Sequence, residues 1–249
     1  MNLDNLIIDG DFPTIAIWFA IYCFLGWVWE SAYRSIHERK FVNSGFLAGP
    51  FIPIYGFGAL LYIGLMHITL NPALLFISGA VLACTLEYIT SWALEKIFHA
   101  RWWDYDNNKF NINGRVCLLG FCAFGFFVVI LPYLQLPIGY ITSQLSETWR
   151  WIIAILFIIG ILYDTFTTSR GLVRFNKTLA RYQKEIERHA APIIDFLTYY
   201  PRRIMSAFPG FKSILYPDAM KKIRKFHEES RKKIKKTQYK PQKVKKKKK

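Results

Sequence analysis

Apolar residues gather in five long stretches, from about Pro13 to Tyr33, Pro50 to Thr69, Pro72 to Lys96, Arg115 to Leu134 and Trp149 to Thr168. A helix crossing ~30 Å of hydrocarbon needs ~20 largely apolar residues, and each stretch qualifies. Pro13, Pro50 and Pro72 stand near helix starts, where a missing backbone N–H costs least. The pattern then changes. Leu172, Phe175, Leu179, Tyr182, Ile186 and Ile193 recur every three or four residues among Arg174, Lys177, Arg181, Lys184 and Arg188. That is an amphipathic helix, ending before Pro192 or Pro201. The fold class is therefore all-α: a polytopic membrane helical bundle of five transmembrane helices, an amphipathic cytoplasmic helix and a disordered basic tail.

Charge divides the chain and orients it. The net charge is +16, yet residues 219–249 hold sixteen Lys/Arg against Glu228 and Glu229. The remaining body is nearly neutral and apolar, with 53% hydrophobic residues over the whole chain. Short-loop Lys/Arg sets topology. Arg34, Arg39 and Lys40 lie between the first two stretches; Lys96, Arg101, Lys109 and Arg115 lie between the third and fourth. Residues 1–12, the turn at Asn71 and residues 135–148 carry none, and Arg150 sits at that border. This predicts an outside N-terminus and a cytoplasmic C-terminus in the inner (cell) membrane. The domains follow as 1–12 outside, 13–169 the transmembrane bundle, 170–218 the amphipathic extension and 219–249 the Lys-rich tail. Asp4, Asp9 and Asp11 argue against a cleavable signal peptide, which starts basic. A 69-residue shift aligns Phe41, Gly45, Gly56 and Phe57 with Phe110, Gly114, Gly125 and Phe126, hinting at a parallel duplication of two hairpins.

Ionisable groups inside spans cost ~2.5–3.5 kcal/mol and need a reason. Glu30 has Arg34 at i+4, a spacing that lets the two neutralise each other. Glu87 lies about two turns from the inner end of the third stretch, too deep to reach headgroups. Cys84, Glu87, Ser91 and Glu95 share one helix face, which must look into the bundle or a water-filled cavity. Asp164, with Thr168 at i+4, reads as interfacial.

Both cytoplasmic loops are dense in glycine and proline: Phe41-Val-Asn-Ser-Gly-Phe-Leu-Ala-Gly-Pro50, and Phe98-His-Ala-Arg-Trp-Trp-Asp-Tyr105 closing on Phe110-Asn-Ile-Asn-Gly-Arg115. Such backbone leaves polar groups unpaired, so the loops are expected to dip into the bundle, where protein can satisfy them. Trp102, Trp103 and Tyr105 suit an interfacial aromatic belt. Arg101, Asp104, Asn113 and Arg115 add directional donors and acceptors beside those rings. The candidate binding set is Glu30, Arg34, Asn43, Tyr55, Glu87, Arg101, Trp102, Trp103, Asp104, Tyr105, Asn113 and Arg115. Glu30, Glu87, Arg101, Asp104 and Arg115 are expected to converge at the cytoplasmic mouth, a site suited to a polar or cationic headgroup or to proton-coupled movement.

No motif fixes a reaction, so catalytic residues are not assignable. A Walker A loop, HExxH, a nucleophile elbow and a dinucleotide fingerprint are all absent from the sequence. Cys23, Cys84, Cys117 and Cys122 form no CxxC pair and read as small buried hydrophobes; His67 and His99 are isolated, so no metal or cofactor is expected.

The strings GWVWESAYRSI, FVNSGFLAGPFIPIYGFGAL, LEYITSWALEKIFHARWWDY and FNINGRVCLLG resemble the ABC-transporter type IV (CmpB-like) permease family of bacterial membrane proteins, over roughly residues 18–170. Where that pattern tends to have Asn-Arg-Gly, this chain has Asn43-Ser44-Gly45. The resemblance implies a transport subunit, and a separate ATPase partner because the chain holds no ATPase domain. Three function classes follow: a permease-like subunit moving or binding a small polar or amphipathic molecule, a membrane-embedded enzyme or lipid-headgroup binder at the inner leaflet, and a scaffold recruiting a partner. Anionic inner-leaflet lipids are the expected partners of the tail, at ~1 kcal/mol per basic residue. A second copy of the chain is a further candidate, and nucleic acid is disfavoured because aromatic platforms thin out after Phe226.

Overall fold

The computed structural model describes residues 10–66, 68, 71–187 and 199–225. The expectations for residues 1–9, for Ile193 and for the tail from 226 onward lie outside the described residues. The elements run α1 (Phe12–Glu38), α2 (Pro53–Met66), α3 (Pro72–Phe98), β1 (Ala100–Arg101), α4 (Leu118–Ser143), α5 (Glu147–Glu187), α6 (Tyr199–Ala207) and β2 (Lys212–Ser213). A last helical stretch covers 217–225.

Local chemistry starts and stops the long helices. Asp11 caps α1 by accepting from the Thr14 N–H at 3.2 Å, and Asn71 caps α3 by accepting from the Ala73 and Leu74 N–H groups. A proline follows each cap in the first turn. Both helices are 27 residues long, and both end on a left-handed residue, Arg39 and His99, each at φ 51°. The hairpins opened by α1 and α3 then share a further feature. Gly45 and Gly114 both adopt positive φ, 89° and 64°, at the positions aligned by the 69-residue shift.

Four helices, α1, α3, α4 and α5, contain stretches long and apolar enough to cross a membrane, and the chain is a multi-pass membrane protein. The second expected span departs from the sequence reading. It is a helix of only 14 residues, α2, rising ~21 Å. Residues 41–52 before it are not helical. The reason is local: Gly49 precedes Pro50 and Ile52 precedes Pro53, and a residue before proline is pushed out of the α region. Two other boundaries also move. α4 runs on past Leu134 to Ser143 with Pro132 and Pro137 inside it, so only residues 144–146 separate it from α5. The amphipathic extension is no separate element either, because α5 continues through it as one 41-residue helix.

The non-helical segment re-enters the bundle beside α1. Its start is held at the level of Ser31, whose hydroxyl accepts from the Ser44 N–H at 3.1 Å; its end is held at Cys23, whose carbonyl accepts from the Ile52 N–H at 3.0 Å. Eight helical residues separate those two anchors, a depth of ~12 Å. Hydrocarbon offers no partners to such backbone, so protein must supply them. Asp164 of α5 accepts from Ala48 N–H (3.1 Å) and Gly49 N–H (2.7 Å). Arg203 of α6 donates to the carbonyls of Gly45 (3.0 Å), Phe46 and Leu47 (2.7 Å). The Ser35 hydroxyl accepts from the Val42 N–H, and Asn43 donates to the Ala48 carbonyl. Segment 42–52 is thus built into the protein rather than suspended beside it.

Two cores hold the frame. Within the bundle, Trp18, Tyr22, Tyr62, Met66, Leu75 and Val128 pack together. Their polar tips bond across helices: Trp18 donates to Thr142 Oγ1 (3.0 Å), Tyr22 to Gln135 Oε1 (2.9 Å) and Tyr62 to the Gly79 carbonyl (2.5 Å). At the loop end, Trp102, Leu172, Phe175, Leu179, Ile204, Phe211 and Met220 form a second core. There β1 pairs antiparallel with β2, Ala100 opposite Ser213 and Arg101 opposite Lys212. Ala219, Met220 and Ile223 are buried in this core, so residues 219–225, expected to open a disordered tail, form a packed helical turn.

Asp164→Ala strands two inward-facing N–H groups at once. It should lower unfolding stability in detergent by at least ~2 kcal/mol, since each stranded donor costs ~1–3 kcal/mol. Thr167→Ala, one turn away, removes only a bond to the Asp164 main-chain carbonyl and should cost under ~0.5 kcal/mol. Equal effects would remove Asp164 from its anchoring role.

Candidate functional site

The polar residues at the loop end sort into two adjoining clusters. The loop after α3 brings them together. Asn111 donates to the carbonyls of Asp106 (3.1 Å) and Asn108 (2.9 Å), and its own Oδ1 accepts from the Gly114 N–H (3.1 Å). The Tyr105 N–H bonds to the Gly114 carbonyl at 2.8 Å. A side chain at Gly114 would collide with the Asp104 and Asp106 carboxylates, so its positive φ and bare Cα are both required. The closed loop aims Tyr105 inward.

The inner cluster centres on Glu87, which is 7% exposed. The Tyr105 hydroxyl donates to its Oε1 at 3.2 Å. Burial, reinforced by the Glu87 charge, pushes the Tyr105 phenol above its ordinary range, so it stays protonated as a donor. Glu87 Oε2 is buried and has no hydrogen-bond partner among the described residues. Glu30 on α1 and Tyr55 on α2 lie within electrostatic reach of Glu87. Tyr55 packs over Gly26, where a Cβ would overlap its ring. Three helices and the loop therefore contribute to one acid-and-phenol cluster, in which Glu87 is buried and Glu30, Tyr55 and Tyr105 are partly buried.

The outer cluster is ionic and self-neutralised. Arg115, 8% exposed, donates to Glu95 Oε2 at 2.7 Å and to Ser91 Oγ at 3.4 Å, with its guanidinium carbon 5.5 Å from the centre of the Tyr88 ring. The bond to Glu95 raises the Arg115 pKa further, fixing its charge. Arg101 reaches Glu95 (3.5 Å), Asp104 (3.9 Å) and Asp106 (3.6 Å). Lys212 of β2 pairs with Asp104. Burial alone would raise the Asp104 pKa, but the Lys212 ammonium and the Asp106 N–H outweigh it and hold the carboxyl below its usual value.

The stripe Cys84–Glu87–Ser91–Glu95 does face inward together, but its two acids meet different partners. The expected single constellation is split accordingly. Glu30 and Glu87 sit together, while Arg101, Asp104 and Arg115 belong to the network on Glu95. Arg34 remains an electrostatic partner of Glu30 and also donates to the Ser206 carbonyl at 2.6 Å. Asn43 serves the re-entrant segment, accepting from Trp27 Nε1 at 2.7 Å. Trp103 Nε1 donates to the Arg115 carbonyl at 3.0 Å, and Asn113 Nδ2 to the Tyr88 hydroxyl at 2.9 Å. Trp102, expected in the interfacial belt, is 1% exposed and packs edge-on to Phe46, Phe98, Phe208 and Phe211 in the loop-end core. No group of three or more His, Cys, Asp or Glu suited to a metal occurs among the described residues.

Sequence reasoning missed Arg203, Lys212 and Asp106 and undervalued Asp164. A visible signal existed for Arg203, which directly precedes Ile204 and Met205 in an otherwise basic region.

A bundle of span-length apolar helices, with a non-helical segment packed among them, defines a polytopic membrane protein. The family model described as Putative ABC-transporter type IV matches residues 17–169, and the chain belongs to that family. The match covers α1 to the middle of α5 and stops before the 199–225 segment that carries Arg203. No curated protein and no solved structure matches the chain.

The Arg115–Glu95 pair should be energetically coupled. A double-mutant cycle with Arg115→Gln and Glu95→Gln, read by unfolding in detergent, is expected to give ~0.5–3 kcal/mol. The longer Arg101–Glu95 contact should give less. Zero coupling at Arg115 would mean that the outer network is solvated rather than structural.

Proposed function

We propose that this chain is the membrane subunit of a transporter that binds a small polar or amphipathic molecule in the cluster around Glu87, reached from the cytoplasm. The observation that carries this reading is the Glu87 carboxylate: it is buried, it accepts one phenol, and it forms no ion pair among the described residues. An acid retained at depth without a basic partner is costly unless it serves a ligand. Family membership supports a transport role and a separate ATPase subunit as partner.

We further propose five crossings, the second made by the re-entrant segment and α2 in series, which together rise ~33 Å against ~30 Å of hydrocarbon. Lys/Arg distribution supports an outside N-terminus and a cytoplasmic loop end. Arg150, which breaks the pattern at the opposite end, pairs with Asp11 at 3.3 Å and donates to Thr14 Oγ1 at 3.0 Å. Its charge is thereby balanced within the protein.

In a variant lacking the four native cysteines, Glu87→Cys should react with an impermeant maleimide in inside-out vesicles but not in right-side-out ones. Lys40→Cys and Lys109→Cys should behave likewise, and Gln144→Cys oppositely. Reaction of Glu87→Cys from neither side would overturn the binding site and leave a closed scaffold. Reaction of Lys40→Cys from outside would overturn the orientation.

A further inference from the structure

The ligand class can be narrowed by following charge through the site, an argument that rests on the cluster around Glu87 being the binding site. Three other acids at the loop end face cations. Glu30 has Arg34, Glu95 has Arg115 and Arg101, and Asp104 has Arg101 and Lys212. Glu87 interacts with Glu30 from α1, Tyr55 from α2, Cys84 from its own helix and Tyr105 from the loop; behind these, Arg34 acts on Glu30, and Cys117 on Cys84 and Tyr105. Arg34 is the single cation in that set, and it lies beside Glu30. With both Glu30 and Glu87 ionised, Arg34 can balance only one of the two negative charges.

The unpartnered carboxylate oxygen marks where the compensation would sit. Tyr105 occupies Oε1 and, holding its proton, adds no charge. Oε2 is the unpartnered atom, on a side chain 7% exposed. Across from it stands Gly120, where a Cβ would lie 4.0 Å from Oε2, in ordinary contact. Two acids repel an anion. Glu30, Glu87, Cys84 and Cys117 do not form a group that could hold a metal ion among the described residues. Two phenol rings beside a carboxylate suit a desolvated organic cation, which gains from ring faces as well as from the charge.

We propose that the site takes an organic ammonium monocation, its positive head on Glu87 Oε2 with Glu30, Tyr55 and Tyr105 around it.

Gly120→Cys, in the cysteine-free background, places a thiol beside the site with Glu87 intact. Its reaction in inside-out vesicles is measured with 2-(trimethylammonio)ethyl and 2-sulfonatoethyl methanethiosulfonate, each rate normalised to that with a free thiol. The cationic reagent should win by about tenfold, as expected for one unit charge acting across a partly screened gap. The preference should collapse in Glu87→Gln and persist in Glu87→Asp, which controls for loss of fold. Ethylammonium chloride should protect the thiol relative to sodium chloride at equal ionic strength. Equal normalised rates would overturn the ammonium assignment while leaving an accessible site. A preference unchanged by Glu87→Gln would also overturn it. Reaction with neither reagent would overturn the binding site itself, and this inference with it.

Discussion

Backbone that crosses hydrocarbon without forming a helix must find a partner for each N–H and C=O within the protein. Segment 42–52 would face that demand in the proposed second crossing, and much of the architecture answers it. Its N–H groups at Ala48 and Gly49 require an acceptor from the far side of the bundle, which Asp164 supplies from α5. Its carbonyls at Gly45, Phe46 and Leu47 require a donor from the loop end, which Arg203 supplies from α6. A guanidinium suits the second task because its fixed fork of donors can serve several carbonyls at once. α5 accordingly runs on beyond its apolar stretch, and α6 lies against segment 45–47. The loop-end core of Trp102, Phe175, Leu179 and Phe211 joins α5 to the loop.

The same constraint explains why charge divides as it does. Arg115, Arg101 and Lys212 come from loop and strand and stay with Glu95, Asp104 and Asp106, one or two turns outward from Glu87. In that position their mutual hydrogen bonds offset the cost of leaving water. Glu87 lies beyond their reach on the same helix face and receives only a phenol. Stability alone would favour an apolar residue there. The outer network closes over the inner cluster through one loop, since Trp103 bonds to the Arg115 carbonyl while Tyr105, two residues on, reaches Glu87. Binding at Glu87 would thus be felt directly by the loop that the C-terminal segment clasps through Lys212 and Asp104.

Much of this was legible in the sequence, for identifiable reasons. Hydrophobic length located the four span-length helices, and proline with Asx caps marked the starts of α1 and α3. The face shared by Glu87, Ser91 and Glu95 followed from helical period alone. Glycine and proline density located the re-entrant segment, although a hydropathy window read it together with α2 as one helix. What failed was partner assignment. Arg115 and Glu95 are 20 residues apart, Lys212 and Asp104 are 108, and Arg203 and Gly45 are 158. Periodicity says which way a side chain points along its own element and nothing of what meets it there. Asp164 read as interfacial because its depth resembles that of a helix end; its role depends on a loop that has no helical address.

The two hairpins make the point most sharply. Each pairs a 27-residue helix, capped by Asx and proline and ended by a left-handed cation-bearing or imidazole residue, with a loop that turns at a positive-φ glycine. Gly56 and Gly125 then pack their bare faces on α1 and α3, Gly56 against Cys23 and Phe19, Gly125 against Phe76. Beyond that the hairpins diverge. The first loop sinks along its helix and leaves α2 short; the second folds on itself through Asn111, leaving α4 full length. Divergence of this kind breaks any two-fold relation at the loop end. It also lets Tyr55, from the start of the short helix, and Tyr105, from the self-bonded loop, approach Glu87 from different sides. A symmetric pair of hairpins would place equivalent groups on both acids; here Glu30 keeps a cation at i+4 and Glu87 does not, and that asymmetry is what leaves one buried carboxylate oxygen without a partner among the described residues.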